Sequence, residues 1–505
     1  MARRSPTVFT VGARGSRLSR VQTENAVAFL ARTFPDTAYR VVAVETPGDR
    51  DLTTPIEKSA PDFFTRDLDA AVRDGRLDCA IHSAKDLPER IADDLDWFWL
   101  PNREDPRDGW VLRAGLTLDA ARRKRHFTVG ISSERRRAYA AAIFPKATLR
   151  PIRGAIDARL DQLVAGKFDA VLMALAGLNR LYPEGPQGVT LVPIPLDELT
   201  PPEAQGFLAV VFRAGDARFQ AMRQKFVKAV RFVSAGVGDA GLCTVAGRHD
   251  LACADTVLYD DLLGKELISP SPSSQHVIPV GKRCGAHSMK QPDITRLICD
   301  EARKGRRVVR LKGGDAGLFG RLAEETDALT KRGLPFLVRP GVSALTAGTT
   351  GTGLLLTRRG ESTGFTVYTP RRAETPTPPS AENPLPTRVL FMATRVLEDE
   401  AQTLIRDGWP RETPCALVLD AGGPGEEVRT MTLGTVRNLA GEARPGLFIV
   451  GTAATHRWPQ LGEWGGRRML VTCSEALQEK TAVTVEDRGG RPIRWPLIRL
   501  VPRAL

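Results

Sequence analysis

This sequence of 505 residues has few cysteines. Its seven cysteines (Cys79, Cys243, Cys253, Cys284, Cys299, Cys415 and Cys473) are scattered, and none forms a CxxC pair. The pattern argues against a structural zinc site and for a reducing, cytoplasmic setting. Six scattered histidines give no reason to expect a metal cluster. No run of about 18 apolar residues occurs, so no membrane span is expected. The opening MARRSPTVF is basic but has no apolar signal core. Aromatic residues make up only 6%, and basic residues stand singly rather than in runs interleaved with aromatics. Both facts argue against nucleic acid as a partner, despite a net charge of +13. That charge suits acidic small molecules, or it is an arginine-rich solvated surface.

What is there suggests about three domains by length, with an apolar content of 42%, ample for their cores. One stretch organises the rest: Arg307–Arg321, RVVRLKGGDAGLFGR. An apolar strand through Val308, Val309 and Leu311 runs into Gly313, Gly314 and Asp315. Glycines let backbone approach a ligand closely, and open α/β sheets bind ligands at the carboxyl ends of strands. A carboxylate in this turn disfavours a phosphate and suits an ammonium or sulfonium group.

The first 220 or so residues repeat a strand–cation–helix unit. Thr7–Ala13 reads as a strand, and Ser16–Thr33 as a helix with Leu18, Val21, Ala26, Phe29 and Leu30 on its apolar side. Arg14 and Ser16 set a cation and a hydroxyl at that helix's N-terminus, a place suited to a carboxylate. Later strands end in His82–Pro88, with Lys85 and Asp86, and in Gly130–Arg137, with Arg135 and Arg136. Another ends in Arg153-Gly154, before a helix with Ile156, Leu160, Leu163 and Val164 on one face and Arg159 off it. The pattern describes a two-lobed α/β domain with an arginine-lined crevice, in which Asp86 is the odd acid.

Val11–Gln22, His82–Pro88, Arg103–Asp108, Gly130–Arg136, Ile152–Leu160, Phe168–Leu181 and Gln205-Gly206 together resemble the first two domains of hydroxymethylbilane synthase, also called porphobilinogen deaminase. The resemblance implies periplasmic-binding-protein-like lobes over residues 1–222 and condensation of four porphobilinogen units. It implies Asp86 as the catalytic carboxylate. It also implies Arg14, Ser16, Lys85, Arg135, Arg136, Arg153 and Arg159 as holders of acetate and propionate groups. The family tethers a dipyrromethane cofactor to a cysteine in a third domain. Here that domain is missing: Arg213–Asp216 leads through one short helix into Phe232, and no cysteine lies between Cys79 and Cys243. The family's glycine-rich, lysine-bearing loop is replaced by Ala60-Pro61-Asp62, and its asparagine after the Arg-Gly pair is Ala155.

After a linker at 223–231, Phe232 to about Trp464 resembles uroporphyrinogen-III C-methyltransferase. VVRLKGGD, VGKRCGAHS and the strand-ending Tyr259-Asp260 carry the likeness. It implies a two-lobed tetrapyrrole methylase fold over 232–464, in the homodimer usual for that family. It implies S-adenosyl-L-methionine between the lobes and conversion of uroporphyrinogen III to precorrin-2. Gly313, Gly314, Asp315, Leu318, Ser343, Ala344, Met392, Ala421 and Val237 would meet the cofactor. Asp260 would accept a proton and Lys282 would donate one. Val237, Asp261 and Ala421 replace the family's Pro, Arg and Gly. The Pro-rich run Thr375–Pro386 reads as a linker between the lobes. Second-lobe strands are expected at Val389–Met392, Ala416–Leu419 and Leu447–Val450.

Residues 465–505 hold expected strands at Arg468–Thr472 and Pro496–Leu500 and resemble the opening β-α-β of uroporphyrinogen-III synthase. Forty or so residues bury too little to stand alone. The segment is expected to be a non-catalytic remnant or a piece completed by a separate chain. Three functional readings follow. The first is a working methyltransferase, for sirohaem or cobalamin, fused to a silent deaminase half. The second is a bifunctional enzyme, and the third makes the N-terminal half a carboxylate- or pyrrole-binding module.

Overall fold

The computed structural model describes residues 7–44, 62–237, 239–260, 267–268, 275–281, 289–349, 367, 387–391, 394–419, 427–437, 444, 446–455, 459–495 and 497. The first lobe opens with β1 (Thr7–Arg14), α1 (Arg17–Thr33), β2 (Thr37–Val44), α2 (Arg66–Arg73), β3 (Cys79–Ser83) and β4 (Leu95–Trp99). The chain then crosses to a second lobe. This holds β5 (Asp108–Arg113), α3 (Leu118–Arg123), β6 (Thr128–Ile131), α4 (Glu134–Ile143), β7 (Thr148–Pro151), α5 (Ile156–Val164), β8 (Ala170–Ala174), α6 (Leu175–Leu181) and β9 (Val189–Pro193). It returns as β10 (Leu208–Arg213), antiparallel between β3 and β4, and closes with α7 (Ala217–Arg223).

Strand orders of β2-β1-β3-β10-β4 and β7-β6-β8-β5-β9, joined by two crossings, give a two-lobed binding-protein-like half. The crossings touch each other. Glu104 N–H donates to the Gly206 carbonyl at 3.1 Å, and a Cβ on Gly206 would lie 2.3 Å from the Glu104 oxygen. With φ at +95°, that position suits glycine alone.

Two helix faces depart from the sequence pattern. In α1 the deepest residues are Ser19, Gln22, Thr23, Ala26 and Leu30, while Leu18, Val21 and Phe29 are half-buried. The first turns of α1 lie against strand ends whose polar groups need partners: Ser19 Oγ accepts the Arg14 N–H at 2.9 Å, and Gln22 donates to Ser83 Oγ at 3.0 Å. In α5, Leu160 and Leu163 are buried as expected, but Val164, at the edge of that face, is 56% exposed.

The third lobe comprises β11 (Val230–Ser234), α8 (Val245–Ala252), β12 (Thr256–Tyr259), β13 (His276–Pro279), α9 (Gln291–Arg303), β14 (Val308–Lys312), α10 (Leu322–Lys331), β15 (Phe336–Arg339) and α11 (Ala344–Thr349). Its sheet is parallel throughout, in the order β13-β12-β14-β11-β15. β14 at its centre is buried along its whole length, as a strand covered on both faces must be. The fourth lobe is antiparallel: β16 (Arg388–Phe391), α12 (Leu397–Arg406), β17 (Pro414–Leu419), β18 (Glu427–Thr432) and β19 (Gly446–Val450), ordered β16-β19-β17-β18. The expected linker Thr375–Pro386 lies outside the described residues.

A βαβ unit follows: β20 (Arg468–Val471), α13 (Glu475–Asp487) and β21 (Arg491–Arg494), with the strands parallel. The partner of β20 is thus upstream of the expected Pro496–Leu500, most of which lies outside the described residues. Gly489, at φ +75°, and Gly490 reverse the chain directly after α13, so Arg491 already pairs with Arg468. Among the described residues, no helix is long and apolar enough to cross a membrane.

Candidate functional site

Two crevices collect the residues singled out in the sequence. In the first, Lys85 and Asp86 lie on a short 3-10 turn, Ala84–Asp86, directly after β3. The Ala84 N–H donates to the Phe207 carbonyl at 3.0 Å, which ties the turn to the second lobe crossing. The Lys85 side chain reaches solvent, yet enough protein surrounds its ammonium that desolvation lowers its pKa. Asp86 opposes that shift, while Arg136 and Arg159 add to it. Arg159 is itself held down to about 10, first by burial and then by Arg136 and Arg153. Lys85 and Asp86 from one lobe therefore share an electrostatic neighbourhood with three arginines of the other.

Within that cluster, Arg159 Nε donates to the Gly154 carbonyl at 2.8 Å. Arg153 keeps a buried Nη2 with no partner among the described residues, a donor lacking an acceptor. Arg14 holds its guanidinium 4.6 Å from the centroid of the Phe64 ring. Ser16 caps α1, accepting the Ser19 N–H at 3.3 Å.

Arg135 and Arg136 are placed differently. Both grip Asp108, a fully buried acid at the start of β5. Arg136 meets it through Nη2 at 2.7 Å and Nε at 3.2 Å, and Gln205 donates to it at 3.2 Å. An internal carboxylate thus engages much of the donor capacity that the sequence reading gave to substrate. Asp108 closes the Arg103–Asp108 stretch quoted for its likeness but was given no role, although an acid opening an otherwise apolar strand is a signal that a cation must meet it.

The second crevice lies at the carboxyl edge of the parallel sheet. There β11 and β14 are cross-bridged beyond their ends: Gly314 N–H donates to the Gly236 carbonyl at 2.7 Å, and Gly236 N–H to Gly314 at 3.2 Å. Asp315 fastens the turn, its two oxygens accepting the N–H of Gly341 at 2.9 Å and of Gly317 at 2.8 Å. Gly314, at φ +66°, faces Val237 and Ala344: a Cβ there would lie 3.6 Å from Val237 Cγ1 and 3.8 Å from the Ala344 nitrogen. Ser343 Oγ accepts the Thr346 N–H at 3.3 Å and starts α11. Val237, Gly313, Gly314, Asp315, Ser343 and Ala344 are therefore gathered around one turn, with Leu318 exposed just beyond it. Lys282, Met392 and Ala421 lie outside the described residues.

Residues 9–221 match the family model described as "Porphobilinogen deaminase, dipyromethane cofactor binding domain", and residues 229–437 match "Tetrapyrrole (Corrin/Porphyrin) Methylases". A "Probable porphobilinogen deaminase" of Pyrobaculum islandicum is 35% identical over 208 residues, 41% of this chain and 68% of that protein. The "Uroporphyrinogen-III C-methyltransferase" of Methanocaldococcus jannaschii is 35% identical over 229 residues, 44% of this chain and 95% of that protein. This chain belongs to both families, one after the other. The methylase half is also 35% identical over 229 residues to a "Siroheme synthase" of Actinobacillus pleuropneumoniae, 46% of whose length it covers.

In the methylase half, Asp260 follows β12, and its Oδ1 accepts from Arg310 Nη2 at 2.7 Å. Arg310 and Lys312, both on β14, also pair with Glu325 of α10 at 3.2 and 3.0 Å. These three partners were missed in the sequence. Their signal is two cations, two residues apart, on one face of an otherwise apolar strand: such a face is stable only if acids meet it.

Proposed function

We propose that the methylase half transfers methyl groups from S-adenosyl-L-methionine to uroporphyrinogen III, giving precorrin-2. The observation that carries the reading is the Gly313–Asp315 turn, bridged to Gly236 and Gly341 at the carboxyl edge of a parallel sheet. It lies in a segment 35% identical to nearly the whole of a C-methyltransferase. The residues fit the cofactor: Gly313 and Gly314 present bare backbone, and Asp315 uses two of its roughly four acceptor sites within the turn. When bound, the cofactor supplies a methyl group already activated on a sulfonium. Asp315 would take its ammonium, and Val237 and Leu318 would wall its apolar part. Asp260 is the fixed carboxylate that receives the proton released by the methylated ring, with Lys282 as donor. The substrate's eight carboxylates suit a chain of net charge +13.

The deaminase-like half, we infer, binds pyrrole acids without turning them over. Lys85 beside Asp86, Arg159 near Lys85 and Arg153 near Arg159, with its unpartnered buried Nη2, support the binding. Against turnover, β10 leads through α7 to β11 with no third domain between them. Cys79, the cysteine of this half, is fully buried, and burial pushes its thiol far above the ordinary range. A primer could not be tethered there. A separate chain that completed the half would change this.

The test uses the purified full chain. Methyl-labelled cofactor with uroporphyrinogen III should give labelled precorrin-2, and no label at saturation would overturn the first reading. Porphobilinogen alone should not be consumed. Its turnover, or a covalent dipyrromethane adduct found by mass spectrometry, would overturn the second.

A further inference from the structure

We propose that Arg310 is a positioning residue for methyl transfer, acting through Asp260; this rests on the reading of Asp260 as the proton acceptor. Arg310 sits mid-strand in β14 and is 2% exposed. Its strand neighbours Val308, Val309 and Leu311 are fully buried. A guanidinium in such surroundings is costly unless acceptors meet its donors. Each of its three nitrogens has a different acceptor. Nη2 donates to Asp260 Oδ1 at 2.7 Å, Nε to Glu325 Oε1 at 3.2 Å and Nη1 to the Leu311 carbonyl at 3.0 Å.

The network has a buried back and an open front. Glu325 is fully buried, and its carboxylate also accepts from Lys312 Nζ and Gln291 Nε2, each at 3.0 Å. Lys312 and Gln291 already satisfy Glu325. What Arg310 adds is reach, a rigid fork running from Glu325 to Asp260 at the crevice end. Strand register decides which residue the fork meets. Arg310 pairs with Leu258 of β12, so the guanidinium extends along the neighbouring strand to the residue just past its end. A register slip of one residue would turn it to the opposite face.

A charge-assisted hydrogen bond from a fixed guanidinium holds a carboxylate in one orientation. A proton acceptor already oriented needs no reorganisation when the proton moves. Without Arg310 the carboxylate swings, and fewer bound complexes are productive. The turn that meets the cofactor is left as it was, since its bonds run through Gly236, Asp315 and Gly341.

The experiment is a double-mutant cycle on the full chain, with Arg310→Met, Arg310→Lys, Asp260→Asn and the two combinations. Turnover is measured with both substrates saturating, cofactor affinity by calorimetry and folding by thermal melting. Asp260→Asn should lower kcat by roughly 10²–10⁴-fold, the usual worth of a positioned base. Arg310→Met should lower kcat by roughly ten- to a hundredfold, with cofactor Kd unchanged within about twofold. Arg310→Lys should recover part of the loss, and in the Asp260→Asn background neither Arg310 change should cost anything further. Full kcat in Arg310→Met, or losses that multiply with that of Asp260→Asn, would overturn the inference. Full kcat in Asp260→Asn alone would instead overturn the reading of Asp260, and the inference with it. Should Arg310→Met fail to fold, the same cycle run with Arg310→Lys decides between these outcomes.

Discussion

Arg303, the last residue of α9, donates through Nε to Asp96 Oδ1 at 2.8 Å, linking residues 207 apart in sequence. Arg223 Nη1 donates to the other oxygen of Asp96 at 2.7 Å. Around this buried centre, Arg303 lies 5.7 Å from the Trp97 ring centroid and Lys304 lies 5.6 Å from that of Trp99. Glu203 pairs with Lys304 at 3.0 Å. β4 is the edge strand of the first sheet, and α9 covers it, so the methylase half closes an edge that would otherwise offer unpaired backbone.

Asp96→Asn should therefore destabilise the whole chain rather than one lobe. It leaves buried Arg223 without its carboxylate and Arg303 with Asp300 as its remaining one, and breaking a buried pair costs about 3–5 kcal/mol. Denaturant unfolding followed by fluorescence from Trp97 and Trp99 should show the midpoint fall. A loss below about 1 kcal/mol would mean that water already reaches these charges.

Asp315→Ala tests two roles of one carboxylate. Losing a charge-assisted bond to the cofactor's ammonium costs roughly 1.5–3 kcal/mol, or about ten- to a hundredfold in affinity. The same carboxylate also ties Gly317 to Gly341, so the turn itself could loosen. 5′-Methylthioadenosine, which has no amino-acid portion, separates the two. Its affinity should hold in Asp315→Ala while that of S-adenosyl-L-methionine falls. Equal losses for both ligands would assign Asp315 to the turn alone.

The Gly313–Asp315 turn was legible because its signal is local: an apolar strand, two glycines and an acid in one short stretch. The strand ends carrying Lys85, Asp86 and Arg153, and the helix after the last that carries Arg159, were legible for the same reason. Asp108 and Glu325 were not, because each is defined by cations brought to it by folding. Asp108 takes Arg136 from 28 residues away, and Glu325 takes Arg310 from 15 away. The polar buried face of α1 also defeated periodicity, because hydrogen bonds to strand ends, not apolar burial, decide which side of that helix turns inward. The link between Asp96 and Arg303 joins two family segments, and no motif within either one announces it.

Porphobilinogen should raise the melting temperature of the full chain by binding the first crevice, and the effect should shrink as salt screens its arginines. The pH dependence follows from the lowered pKa values of Lys85 and Arg159. Their charged forms would hold carboxylates, and both lose their protons earlier than ordinary side chains of their type. Binding should therefore weaken as pH rises, first as Lys85 discharges and then as Arg159 does at about 10. Arg153→Gln and Arg159→Gln should each weaken it. Stabilisation indifferent to salt and to both substitutions would place porphobilinogen elsewhere.

The βαβ unit at 465–494 should act as a clamp on the third lobe rather than as an idle remnant. Glu486 and Asp487 lie in the last turn of α13, where the helix dipole disfavours anions. Three arginines of the third lobe offset that. Asp487 takes Arg231 at 2.7 Å and Arg307 at 2.9 Å, and Glu486 takes Arg339 at 2.6 Å. Arg231 and Arg339 also share Asp250 of α8, at 3.0 and 2.7 Å. Arg231 is the deepest of the three, so removing Asp487 leaves a buried guanidinium with Asp250 as its close partner. Asp487→Ala should lower stability measurably but by less than the roughly 3–5 kcal/mol of an uncompensated buried charge, because Asp250 still meets Arg231. Arg307→Ala, whose side chain is a third exposed, should cost much less. Well below the melting temperature, both variants should methylate at the rate of the unaltered chain, because these contacts hold the start of β11 and not the turn beyond its end. A fall in kcat under those conditions, with stability intact, would assign the unit a part in catalysis and overturn the clamp.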